Sequence, residues 1–189
     1  GQDGSFSWED LSARYQSELA NGLGNLASRV LAMIKRYFDG VVPAPAAYNE
    51  VDLAIQAVAE KAIANADAAI DEIAIHDAIG SVWTLVDELN NYITVSEPWV
   101  LAKDEAKRER LASVLYTTAE GLRVLSVALA PVMPKATAKL WAALTEGKLG
   151  DLADQPLADA GRWGQLPSGT TVGDLDILFP RIETDVEGK

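Results

Sequence analysis

Residues 46–97 contain no proline, and their apolar residues recur at spacings of three and four. No other feature constrains the fold as much. Proline inside a helix costs ~3 kcal/mol, so a long stretch without it leaves helices uninterrupted. Apolar residues at i, i+3, i+4 and i+7 share one face of a helix and would alternate sides on a strand. The spacing predicts a helix over 49–67, with Val51, Ile55, Val58, Ala62 and Ala66 inward. It predicts another from Asp71 or Ala74 to about Thr94, with Ala78, Val82, Leu85, Leu89 and Tyr92 inward.

The same period extends to both sides. Ser7 followed by Asp10 resembles a helix start. A first helix is expected from about Trp8 to Tyr37, with Leu19, Leu23, Leu26, Val30, Met33 and Ile34 as its stripe. "FDGVVPAPAAY" then breaks it. Ser96 is expected to cap a short helical turn that contains Pro98. A fourth long helix should cover 106–130, with Leu111, Leu115, Leu122, Leu125 and Leu129 inward, and Pro131 and Pro134 should end it. A fifth, Lys135 to Thr145, is shorter. From Gly147 the period is lost, and "LDILFPRIE" reads as extended tail. The expected class is all-α: an antiparallel bundle of about five helices over 1–146, with an extended C-terminal tail over 147–189.

Composition narrows the chemistry. With 49% apolar residues the chain can bury a core. It has no cysteine, which excludes disulfides, thiol catalysis and thiolate zinc sites, and a single histidine disfavours any metal site. No apolar run reaches ~18 residues, so no membrane span is expected, and no signal-peptide pattern opens the chain. A formal net charge of −12 argues against a generic nucleic-acid-binding surface, and no DNA partner is expected. The first residue is Gly1, and "GQDGSF" reads as the middle of a longer polypeptide.

A few residues are out of place for packing alone. Asn25 and Arg29 lie four apart, on one helix face at the edge of the stripe that holds Leu26 and Val30. Two readings fit them. The plain one is a solvated face, or an arginine paired to a carboxylate of the next helix; the other is a donor fork beside an amide that reads a base edge or an anion. Gly22 and Gly24 would then mark the close approach of another backbone or a ligand. Trp99, after Pro98 at a helix junction, is either a packing plug or an exposed platform for a nucleobase. Trp8, Trp83 and Trp141 fall on helical periods and read as packing contacts; Trp163 reads as a tail anchor and His76 as structural. No phosphate loop or nucleophile elbow is present. A structural or protein-interaction bundle without RNA binding is the alternative to recognition.

"YQSELANGLGNLASRVLAMIKRYFDG", "NNYITVSEPW", "LAPVMPKATAKLW" and a closing "LFPRIE" occur in that order. Together they resemble the C-terminal anticodon-binding domain of methionyl-tRNA synthetases, a helix bundle appended to a class I catalytic domain. The resemblance implies that Trp99 stacks on the first anticodon base of a CAU anticodon. It implies that Asn25 and Arg29 hydrogen-bond base edges, and that Pro98 shapes the corner exposing Trp99. Where some relatives have an aspartate five residues before the tryptophan, this chain has Thr94, which is left out of the site. The ATP-handling motifs of the family are absent, so the fragment alone should be inactive and should bind no cofactor. ATP and methionine would bind the missing catalytic domain. The implied partners are the anticodon loop of methionine tRNA and that catalytic domain, against which the tail packs in relatives. A cytoplasmic location is implied.

Overall fold

The computed structural model describes residues 15–71 and 74–180. The start expected at Ser7 and Trp8, the side chains of Leu19 and His76, and the tail beyond Pro180 lie outside the described residues. A π-helical segment, Tyr15–Gly24, runs into α1, Asn25–Tyr37. There follow α2 (Glu50–Asp71), α3 (Ile75–Ser96), a single turn α4 (Pro98–Leu101), α5 (Arg108–Leu129), α6 (Pro134–Thr145) and a single turn α7 (Leu157–Ala160). Among the described residues there are thus five long helices and no strand, only an isolated bridge between Val41 and Thr171.

Some helix ends have an identifiable local cause. Asn49 caps α2: its Oδ1 accepts the N–H groups of Val51 (3.1 Å) and Asp52 (3.0 Å). The Asp52 carboxylate in turn accepts the N–H of Asn49 at 2.9 Å, a reciprocal capping box. This box turns Asp52 inward. The expectation that Val51 starts the buried face is therefore wrong, since Val51 is 46% exposed and Asp52 is fully buried. Arg110 and Tyr92 make that burial tolerable by donating to the carboxylate. Pro134 opens α6 at its first position rather than closing α5. Ser96 is not a cap. It is the last residue of α3, and Glu97 forms the junction instead.

α5 is the hub of the bundle, packed on every other α-helix among the described residues. The predicted leucine stripe is buried, but so are the other faces, including Ser113, Thr117, Glu120 and Arg123. α3 and α5 cross closely at Gly121, where a Cβ would stand 2.6 Å from Leu89 Cδ1. Any larger residue there would force the buried Leu89 side chain to move.

The chain after Gly147 wraps the bundle as a strap. Glu120, buried on α5, accepts backbone N–H groups from Gly164 (2.9 Å), Gln165 (3.0 Å) and Leu166 (2.9 Å). Arg123 pairs with Glu120 at 2.9 Å and donates to the carbonyls of Ala160 (2.8 Å) and Arg162 (3.1 Å). The Tyr116 hydroxyl adds a bond to the Leu166 carbonyl at 2.8 Å. Further on, Val172 donates to Gly40 and Gly173 to Ala143, both at 2.7 Å. The tail is expected to pack on the bundle or on a missing catalytic domain; within this chain Leu178 and Phe179 are buried, and Ile177 is 72% exposed.

Candidate nucleic-acid interface

α1 and α3 run in the same direction, which decides what can stand near what. A Cβ on Gly22 would lie 3.5 Å from Trp83 and Val86 of α3. Asn90 of α3 donates to the Gly22 carbonyl at 3.3 Å. At the far end of α1, the Arg108 guanidinium donates to the Tyr37 carbonyl (3.3 Å) and lies 4.6 Å over the Phe38 ring. Arg108 begins α5, beyond the α3–α4 corner in the chain. α1 therefore climbs along α3 towards that corner. At ~1.5 Å per residue, Arg29 lies about 10 Å along from Gly22, and Glu97 lies about 10 Å along from Asn90. Both α1 and α3 thus run towards the end of the bundle that carries Trp99.

The corner has its own geometry. Glu97 adopts φ 45°, ψ 57°, a left-handed conformation rare outside glycine, and its N–H closes α3 onto Ile93 O at 3.1 Å. The Glu97 carbonyl then accepts from Val100 (2.8 Å) and Leu101 (3.2 Å) to start α4. Pro98 sits at the first position of that turn and is buried. Trp99, next to it, is 39% exposed, with Val95 and Val100 exposed beside it. So Trp99 is no packing plug. It is part of an apolar patch at the end of the bundle.

Asn25 and Arg29 are both exposed, about 100° round α1 from the fully buried Leu26 and Val30. Among the described residues neither side chain has a hydrogen bond or ion pair within the chain. The simple pairing of Arg29 with a neighbouring carboxylate is not what the fold provides. Thr94 is exposed too, but its hydroxyl folds back onto the Asn90 carbonyl at 3.1 Å. Neither glycine is required by its backbone or by a close approach: a Cβ on Gly22 would meet α3 at ordinary van der Waals distance, and Gly24 has ordinary right-handed helical angles.

Other polar clusters are closed. Burial pushes the Asp52 carboxyl up, but hydrogen bonds from Arg110, Tyr92 and the Asn49 backbone outweigh it and hold it below the usual carboxylate range. Burial, then the bond to Asp52, pushes the Tyr92 hydroxyl well above its ordinary value. With Asp52 and Tyr92 sealed, this trio is a clamp between α2, α3 and α5, not a reaction centre. Trp163 lines a cleft of about 500 Å3 between α2 and the strap, consistent in place with a tail anchor. Among the described residues no group of His, Asp and Glu could hold a metal ion, and no helix is long and apolar enough to cross a membrane. Sequence reasoning missed Asn90 and Glu97. The first had a signal, an amide beside inward Leu89; the second had none, since a left-handed glutamate is invisible in a sequence.

Comparison with known proteins agrees with this architecture. The family model described as the anticodon-binding domain of tRNA ligase matches residues 52–168. A methionine–tRNA ligase of Streptomyces coelicolor is 51% identical over 187 residues, covering 97% of this chain and 35% of that protein. One from Caldanaerobacter subterraneus is 41% identical, covering 99% of the chain and 28% of the relative. The crystal structure of free-state Mycobacterium tuberculosis methionyl-tRNA synthetase superposes with a TM-score of 0.84 at 35% identity, covering 97% of this chain and 36% of that one. The chain thus spans about a third of the length of the proteins it matches.

Proposed function

This chain belongs to the anticodon-binding domain family of tRNA ligases, and from that premise we propose that it reads the CAU anticodon of methionine tRNA. One observation carries the reading. Asn25 and Arg29 stand exposed and unpaired on α1, which runs towards the end of the bundle where the corner presents Trp99. Single-stranded RNA is recognised by splaying bases onto aromatic faces and bonding their edges. Trp99 supplies the face for one base, with Pro98 and Glu97 fixing the corner beneath it. Asn25 offers both a donor and an acceptor, and Arg29 a planar donor fork, for the edges of its neighbours. The net charge of −12 is compatible with this, because base reading needs a few side chains and not a basic surface.

In this reading the domain makes no bond itself. Attachment of methionine to tRNA, with ATP and methionine as small-molecule substrates, belongs to a catalytic domain of the kind that makes up the rest of the relatives. The domain positions the tRNA for it.

Binding of an RNA hairpin with a CAU loop, compared with the same hairpin carrying a permuted loop, tests the proposal by fluorescence anisotropy. The 189-residue chain should prefer the CAU loop, and both affinities should fall steeply with salt. Equal affinity for the two loops would sink the reading.

A further inference from the structure

Asn90 is the residue through which α3 grips the start of α1. It is half-buried. Its Nδ2 donates along its own helix to the Val86 carbonyl at 3.0 Å and across to the Gly22 carbonyl at 3.3 Å. Gly22 lies three residues before Asn25, in the π-helical segment that precedes α1. Such turns are uncommon and concentrate at functional sites.

The rest of the contact at this level is apolar. Trp83 and Val86 approach Gly22 at ordinary van der Waals distance. Dispersion contacts of that kind are individually weak and have no preferred direction, whereas a hydrogen bond requires a distance and an angle. The Asn90 bond is therefore what indexes α1 against α3. From Asn90 the path to Trp99 is also fixed. α3 continues to Ser96, closes through Glu97 N–H to Ile93, and turns at the left-handed Glu97. On the other side the path is the first turn of α1, from Gly22 to Asn25 and Arg29.

We propose that Asn90 is a positioning residue of the interface. It holds the base-edge readers, Asn25 and Arg29, in register with the stacking face, Trp99, without touching RNA itself. This rests on the anticodon reading above. A loop in which one base is stacked fixes where the adjacent base edges lie. Sliding α1 along α3 by a fraction of a turn would leave every side chain present but out of register.

The test compares the wild-type chain with Asn90→Leu, Asn90→Asp and Asn90→Gln. Leucine removes the donor at similar size, aspartate sets an oxygen against the Gly22 carbonyl, and glutamine keeps a donor. Each is titrated with the CAU hairpin and the permuted-loop hairpin, at a temperature where circular dichroism shows wild-type helix content. The leucine and aspartate variants should lose about three- to tenfold of the CAU preference, the scale of one side-chain hydrogen bond. Their affinity for the permuted loop should stay as in wild type, and glutamine should recover part of the preference. Full CAU preference in both the leucine and aspartate variants overturns the proposal. So does an equal loss for both hairpins, which marks a general folding defect. A wild-type chain that does not distinguish the hairpins overturns the anticodon reading itself, and this proposal with it.

Discussion

Trp99 stands outside the buried core and is 39% exposed, so its removal should separate recognition from folding. Trp99→Ala should weaken CAU hairpin binding by about 1–3 kcal/mol, the worth of one stacked base. A thermal melt of the same variant should stay close to wild type. Arg29→Gln should narrow the gap between CAU and permuted loops, read in the same titration, because a single amide replaces the guanidinium fork. At Asp52 the prediction concerns pH. Its folded pKa is depressed, so its contribution to stability is fully present above the unfolded value of ~3.9 and is lost as pH falls through the folded value. Urea unfolding across the acid range should show wild type losing stability there. Asp52→Asn should start lower at neutral pH and show a shallower acid decline. A parallel decline in both would show that Asp52 is not the linked group.

At the scale of the element, helix periods were legible and junctions were not. The inward faces of α3 and α5 follow from spacing, because a 3.6-residue period repeats along the whole element. A cap depends on one residue and its partners. Ser96 has the composition of a cap, yet the chain continues helical through it and turns at Glu97. Val51 has the apolarity of a core residue, yet the capping box of Asn49 hands the inward place to Asp52. Gly121 shows the converse. It looks like a helix weakness, costing ~1 kcal/mol in isolation. In the fold, the buried Leu89 side chain of α3 occupies the space a Cβ would need. Gly121→Ala should therefore destabilise the fold, by about 1–3 kcal/mol in a urea melt, although alanine is the better helix former. A stabilised variant would show that α3 and α5 can separate freely there.

For the whole molecule the question is what holds the strap to the bundle. Glu120 and Arg123 are both buried, and between them they satisfy five backbone groups of the strap. Arg123→Met strands a buried carboxylate, and loss of one partner of such a pair costs about 3–5 kcal/mol. Hydrogen exchange should rise at residues 160–166 before it rises in α3 or α5. Uniform exchange throughout would mean that the strap is not a separate unit.

The sequence by itself determined the class, the five long helices and most of the inward faces, because local period and proline placement act over short distances. The ordered motifs also carried the family. It nominated Asn25, Arg29, Pro98 and Trp99 but could not bring them together, since they lie on two stretches some seventy residues apart. Only the tertiary structure decided that α1 runs alongside α3 in the same direction, so that the helix with two exposed polar side chains heads towards the end that presents Trp99. It also decided that Glu120 and Arg123, which read locally as an ordinary i, i+3 pair, are the buried anchor of the strap. Which face of a helix is covered depends on what the rest of the chain brings to it, and that contact energy is non-local.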